Sequence, residues 1–81
     1  MSTIYIDDKR TILRECRTEL EVIIEVDGIE CGASFLKMLL NSFRDSKHIL
    51  EDFSKFRAVK QLLKKLPSGE AEEIRKLLRG E

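Results

Sequence analysis

The sequence contains few of the residues that build catalytic or metal-binding sites. It has one histidine, His48, and two cysteines, Cys16 and Cys31, which lack the CxxC spacing of zinc and redox motifs. Its four glycines are isolated, so the chain has no glycine-rich loop that would hold a phosphate. No serine or cysteine lies in a nucleophile motif such as GxSxG. We therefore expect a protein that is not an enzyme, with no catalytic residues, no cofactor and no bound metal.

The chain also lacks long apolar runs and a secretion signal. No run approaches the roughly 18 residues that a membrane span requires, and the N-terminus MSTIYIDDKR lacks the basic-then-apolar order of a signal peptide. Two cysteines are too few for a disulfide framework, so we interpret both as reduced residues of the interior. The sequence thus predicts a cytoplasmic protein without membrane contact.

What remains is a short chain that is rich in charge. Its 81 residues predict a single domain spanning 1–81, and 42% apolar residues are enough for a thin core. The net charge is zero, but residues 1–33 carry four bases and eight acids, whereas residues 34–81 carry eleven bases and seven acids. The segment 54–66 has five bases and no acid. This separation of acids and bases along the chain is informative about binding partners or self-association rather than about the fold.

The first 31 residues predict a small antiparallel β-sheet, and the fold class we expect is α+β. Residues 3–6 are β-prone and 7–10 indicate a turn, while 11–17 fit a strand or a short helix, of which we favour the strand. Residues 19–27 alternate between an apolar face and an acidic one, as in a half-buried strand. Asp27-Gly28 is typical of a type I′ hairpin turn leading into a return strand over 29–31. The alternating apolar residues are Leu20, Val22, Ile24 and Val26.

After Gly32 the apolar spacing becomes helical. It predicts three amphipathic helices over about 34–44, 46–66 and 69–79, packed on the sheet. Ser34, Ser46 and Ser68 are the expected N-caps, Ser54 is a point where the second helix could break, and Gly80 is an expected C′ residue.

Three local patterns have a functional interpretation and a simpler structural one, which we favour in each case. Tyr5-Ile6-Asp7-Asp8 has the letters of a metal-binding YxDD turn, but it is more simply a charged turn. The acids Glu19, Glu21 and Glu25 could ligate a hard cation, yet they lack the loop spacing of a calcium site. Leu36–Leu40 fits the LxxLL pattern of a docking helix, which core packing also produces.

The preferred functional hypothesis is a small interaction or regulatory module that self-associates. The segment 35–43 carries more apolar surface than one small sheet readily covers, so we expect a homodimer or a protein partner to bind there. The alternative is that the remaining helices cover this stripe within one monomer. No small-molecule substrate is indicated. The predicted interaction residues are Phe35, Leu36, Leu39, Leu40 and Phe43.

The alternative is a nucleic-acid-binding regulator. A row of bases on one helix can neutralise phosphates, and 54–79 has the outline of a helix–turn–helix pair. Against this stand the glutamates that open the last helix and the absence of a net positive charge. The residues of this alternative are Lys55, Arg57, Lys60, Lys64 and Lys65.

Overall fold

Five α-helices follow one another along the chain in a computed structural model, which describes the backbone of residues 3–81 and the side chains of residues 9–81. No strand occurs within residues 3–81. The described part measures 44 × 29 × 17 Å, so its smallest dimension is under two helix diameters. The helices are α1 (Thr3–Asp27), α2 (Ile29–Ser42), α3 (Lys47–Ser54), α4 (Arg57–Lys65) and α5 (Ser68–Leu78).

The prediction of an α+β fold is wrong, because the region predicted as sheet is helical. The expected strands 3–6, 11–17 and 19–27 all lie within the single helix α1, and the expected return strand 29–31 is the first turn of α2. The three predicted C-terminal helices correspond in part to α2 through α5. The structure is therefore all-α within residues 3–81.

The strand prediction for residues 19–27 is wrong because their alternating apolar residues form two i,i+4 pairs, one on each side of a helix. Leu20 and Ile24 are four residues apart and lie on the inner side of α1, where Leu20 is fully buried. Val22 and Val26 are also four apart, but a step of two residues turns a helix by about 200°. They consequently lie on the opposite side. Leu13 and Cys16 extend the inner stripe toward the N-terminus, and both are partly buried against the core.

Two glycines let α1 and α2 fold back on each other. Gly28 joins them at φ 101° and ψ 170°, a backbone conformation that only glycine adopts readily. The prediction of a turn at Asp27-Gly28 is right in position, but the turn connects two helices and no residue other than glycine has positive φ in the described chain. Gly32 is buried in α2, and a Cβ placed there would overlap Cγ1 of Ile24. A hydrogen atom at position 32 thus allows the close approach of the two helices.

The long helix predicted over 46–66 is broken into α3 and α4, as Ser54 suggested. Its hydroxyl donates to the carbonyl oxygen of Glu51, and Phe56 takes an extended conformation at φ −65° and ψ 135°. The break turns Phe56 so that its ring meets Phe53 edge-on, with centroids 5.3 Å apart. The Phe43 ring lies 5.8 Å from Phe53 on another side.

The expected capping residues have mixed outcomes. Ser46 is the N-cap of α3, although its hydroxyl makes no capping bond. Ser34 lies inside α2 and Ser68 is the first residue of α5, after Pro67 at the N-cap. Gly80 is confirmed as a C′ residue: its φ is 82°, and the amide of Glu81 donates to the carbonyl oxygen of Lys76 at 3.0 Å. This is the bonding pattern of a Schellman motif.

One apolar core holds all five helices together. Phe53 is the largest of its fully buried side chains, and no polar or charged side chain of the described residues is buried. Each helix contributes at least one member, so none of the five is an appendage. The buried members are Leu20, Ala33, Leu36, Leu40, Leu50, Phe53, Ala58, Val59, Leu62, Leu66, Ala71 and Ile74.

Candidate interaction surfaces

The apolar stripe of residues 35–43, which the sequence suggested as a binding surface, is largely used inside one copy of the chain. Leu36 and Leu40 are completely buried. Phe35, Leu39 and Phe43 are partly buried and pack against the same core. The remaining helices cover this stripe, because the N-terminal region is a helix that packs on α2 rather than a small sheet. A partner could reach only the outer edges of the stripe.

A different apolar strip is open to solvent, on the outer face of α1. Val22 is 51% exposed and Val26 is 73% exposed. A shallow groove of about 480 Å³ runs along this face. Because Val22 and Val26 are one turn apart, they form a continuous strip on the helix surface. The groove is lined by Arg14, Glu15, Thr18, Glu19, Val22 and Ile23.

Carboxylates surround this valine strip. On a period of 3.6 residues, Glu15 lies in line with the valines, two turns before Val22, whereas Glu19 lies on one side of the strip and Glu25 on the other. All three glutamates are exposed, and none has a cation within ion-pair distance among the side chains of residues 9–81. We name Glu15, Glu19, Val22, Glu25 and Val26 together the acidic surface.

The basic residues predicted from the sequence lie on the outside of α4 or next to it. Lys55 precedes α4, and among the side chains of residues 9–81 its one carboxylate partner is Glu51, at 3.9 Å between two highly exposed side chains. All four bases of α4 are exposed: Arg57, Lys60 and Lys64 lie opposite its buried residues, and Lys65 lies at its end. Within the part of the chain whose side chains are described, these four have no carboxylate partner.

Sequence reasoning missed three arginines that belong with these bases. Arg10, Arg14 and Arg17 line a cleft together with Leu13 and Phe56, so that α1 contributes a basic row beside the start of α4. Their spacing of i, i+4 and i+7 is a helical signal, but the predicted turn over 7–10 and the favoured strand over 11–17 would not place them in one row. The amide of Lys60 bonds to the Phe56 carbonyl oxygen at 3.1 Å, which places Lys60 one turn beyond the aromatic ring. We name Arg10, Arg14, Arg17, Phe56 and Lys60 the basic surface.

The charges of α1 run against its helix macrodipole. Its last turn contains Glu25 and Asp27 and no base, although a helix C-terminus favours cations and disfavours carboxylates by about 0.3–1 kcal/mol per charge. In α5 the order is the favourable one, with Glu70 in the first turn and Arg75 and Lys76 in the last. The acids near the end of α1 therefore do not serve the stability of that helix.

The remaining candidates for chemistry do not assemble into a site. His48 is exposed near the start of α3. Burial raises the pKa of the Cys16 thiol, and Glu15 and Glu19 raise it further, so this thiol is held protonated. No three histidine, cysteine or carboxylate side chains gather at metal-binding distance among the described residues. The side chains of Tyr5, Asp7 and Asp8 lie outside the described residues.

Glu72 pairs with two arginines at the C-terminal end of the chain. Glu72 lies 3.6 Å from Arg75 and 3.5 Å from Arg79. Arg79 also reaches the Glu81 carboxylate at 2.8 Å, which raises the pKa of Arg79 and lowers that of Glu81. Charge is thus locally balanced at the end of α5, in contrast with α1.

None of the helices within residues 3–81 has both the length and the apolar character needed to cross a membrane. Compared with protein-family models, with curated proteins and with solved structures, the chain matches none.

Proposed function

We propose that this chain is a non-enzymatic, cytoplasmic protein-interaction module that binds its partner through the acidic surface of α1. The observation that carries the proposal is the valine strip. Val26 is 73% exposed on a well-formed helix, and the three glutamates of the acidic surface have no ion-pair partner among the side chains of residues 9–81. Apolar side chains inside a polar rim are the usual composition of a protein interface.

The chemistry of this surface defines the partner it fits. Buried valines need an apolar contact, and the flanking carboxylates need cations once water is excluded from around them. A partner with arginine or lysine side chains on both sides of an apolar or aromatic group meets both requirements. Nucleic acid meets neither here, because phosphates would be repelled by Glu15, Glu19 and Glu25.

The cysteines support the assignment to a non-enzymatic cytoplasmic protein. Two cysteines are too few for a disulfide framework, which favours thiols that stay reduced. Cys16 is partly buried, whereas Cys31 is exposed, so the prediction that both are interior residues is wrong for Cys31. The raised pKa of Cys16 disfavours the thiolate that a nucleophile requires. Neither cysteine has an arrangement that activates it.

Site-specific photo-crosslinking in the native host tests the proposal. A photoreactive amino acid at position 22 should give discrete protein adducts on illumination, because Val22 lies in the contact. The same amino acid at Lys76, an exposed position on α5, is the control and should give none. Equal or absent adducts at the two positions would refute a binding role for the acidic surface.

A second function, nucleic-acid binding, is favoured by one observation. The basic surface combines three arginines with Phe56 in one cleft, and bases beside an aromatic ring are typical of single-strand binding. Fluorescence anisotropy with a labelled oligonucleotide at low salt decides this. Nucleic-acid binding is supported if the affinity falls with salt and is lost in Lys60→Ala/Lys64→Ala but kept in Lys47→Ala/Lys76→Ala. It is refuted if the wild type does not bind the oligonucleotide at low salt.

A further inference from the structure

The acidic and basic surfaces are complementary in charge and in apolar content. The acidic surface carries three glutamates around two valines, and the basic surface carries three arginines and a lysine around Phe56. Arginine forms planar, bidentate pairs with carboxylates. Each surface therefore presents the chemistry that the other lacks.

The two surfaces are not paired with each other within one copy. Both lie on α1, where Arg14 and Arg17 are close in sequence to Glu15 and Glu19, and Arg14 also lines the groove beside Val22. Glu25 lies about 12 Å or more along the helix from each of the three arginines at 1.5 Å per residue, which is too far for an ion pair. Among the side chains of residues 9–81, no acidic or basic member of the two surfaces is in an ion pair.

We propose that the partner of the acidic surface is a second copy of this chain, which binds through its basic surface. This inference rests on the proposed function and specifies its partner. Glu19 and Glu25 of one copy meet the arginine row and Lys60 of the next, and Val22 and Val26 pack on Phe56. Packing of Phe56 against Phe53 holds the ring in place for this contact.

Such a contact is heterologous, because two different surfaces meet. A pair of copies still has one free acidic surface and one free basic surface, so assembly continues into a ring or an open chain rather than stopping at a symmetric dimer. The whole surface of one copy is only 5774 Å², and a standard interface takes about 800 Å² from each partner. A contact made mainly by one helix face is smaller, so the association is weak and depends on concentration.

Sedimentation equilibrium of the full chain over a range of concentrations tests the inference. The wild type should associate at about 50 mM salt and dissociate at about 500 mM, because exposed charges are screened. Glu19→Gln/Glu25→Gln and Arg17→Gln/Lys60→Gln should each weaken association roughly 2- to 30-fold, the loss of two exposed ion pairs. Matched controls with the same changes in charge, Asp45→Asn/Glu70→Gln and Lys47→Gln/Lys76→Gln, should associate as the wild type does.

Mixing the two surface variants separates this geometry from a symmetric dimer. The acidic variant keeps a native basic surface, and the basic variant keeps a native acidic surface. Together they should form a one-to-one complex that grows no further, at a concentration where each alone is a monomer. A symmetric dimer through α1 could also use Arg17, but it would stop at two copies, so the wild type would show no mass above that of the dimer at any concentration. Thermal melts of both variants, expected to match or exceed the wild type, exclude unfolding as the cause.

The outcomes also distinguish this inference from the proposed function. An adduct at position 22 of about 18.8 kDa, twice the 9.4 kDa of one copy, is expected. If the wild type is a strict monomer at low salt and high concentration while position 22 still crosslinks to a protein of another mass, self-association is refuted and the interaction module stands. A monomer with no adduct refutes both.

Discussion

Replacing Gly32 with alanine should destabilise the protein, although alanine is the better helix former. Gly32 lies inside α2 and is buried against α1. In an exposed helix, the change from glycine to alanine stabilises by about 0.5–1 kcal/mol. Here the new Cβ would overlap Cγ1 of Ile24, with Cδ1 and Cβ of the same side chain only 3.4 and 3.6 Å away. The helix gain is therefore opposed by a steric cost.

The magnitude follows from what Ile24 can do. Its Cγ1 is next to the branch point, so it cannot move without a change of χ1 or a shift of the helix. Overpacking of this kind costs about 1–3 kcal/mol. Subtracting the gain in helix propensity leaves a net destabilisation of about 1 kcal/mol, which for a domain of this size lowers the melting temperature by about 4–8 °C.

A double-mutant cycle tests this prediction, because the effect of Gly32→Ala on stability should change sign when Ile24 is shortened. In an Ile24→Ala background the overlapping atoms are gone, so Gly32→Ala should stabilise by about 0.5–1 kcal/mol. Urea denaturation followed by circular dichroism measures all four proteins. The reasoning is refuted if Gly32→Ala has the same effect in both backgrounds, or if it stabilises the wild type.

The remaining predictions concern the helix connection, the core and the thiols. Gly28→Ala should destabilise by about 1–3 kcal/mol because φ is 101° there, whereas Gly69→Ala, with open space and ordinary φ, should be neutral or stabilising in the same denaturation assay. Phe53→Ala should lower the free energy of unfolding by about 3–5 kcal/mol, because Phe53 is fully buried. Met38→Ala should lower it by less than about 0.5 kcal/mol, because Met38 is 57% exposed. Similar losses in the two variants would contradict the core assignment. Cys16, with its raised pKa, should be alkylated by iodoacetamide more slowly than the exposed second cysteine, as mass spectrometry of timed samples would show.

The sequence predicted the C-terminal half of the fold better than the N-terminal half. Ser46, Ser54 and Gly80 mark real boundaries because each depends on local backbone chemistry. Residues 19–31 were misread because β-branched residues and Asp27-Gly28 locally favour a hairpin. Burial decided otherwise: Leu13, Cys16, Leu20 and Ile24 recur every three or four residues and pack on the core. Tertiary packing contributes more to a helix than its intrinsic propensity does.

The candidate surfaces could be predicted only in part, for a related reason. The opposite charge of the two halves of the chain survives any error in secondary structure, because it depends on composition alone. The positions of the charges on the surface, in contrast, are predicted correctly only if the secondary structure is correct. As a strand, 19–27 would expose Glu19, Glu21 and Glu25 in one row and bury Val22, whereas as a helix it exposes Val22 beside the glutamates. The apolar part of the acidic surface was therefore invisible from the sequence.

The contrast between α1 and α5 bears on why the acidic surface exists. In α5 the charges follow the macrodipole, and the end of the helix is closed by a Schellman motif. In α1 of the same chain, carboxylates occupy the disfavoured C-terminal turn and two valines are left exposed, although neither arrangement stabilises the helix. Local rules that a protein obeys in one helix and violates in another are most often violated where it binds. Binding would relieve both violations at once, because cations from a second copy would neutralise Glu25 and the contact would remove Val26 from water.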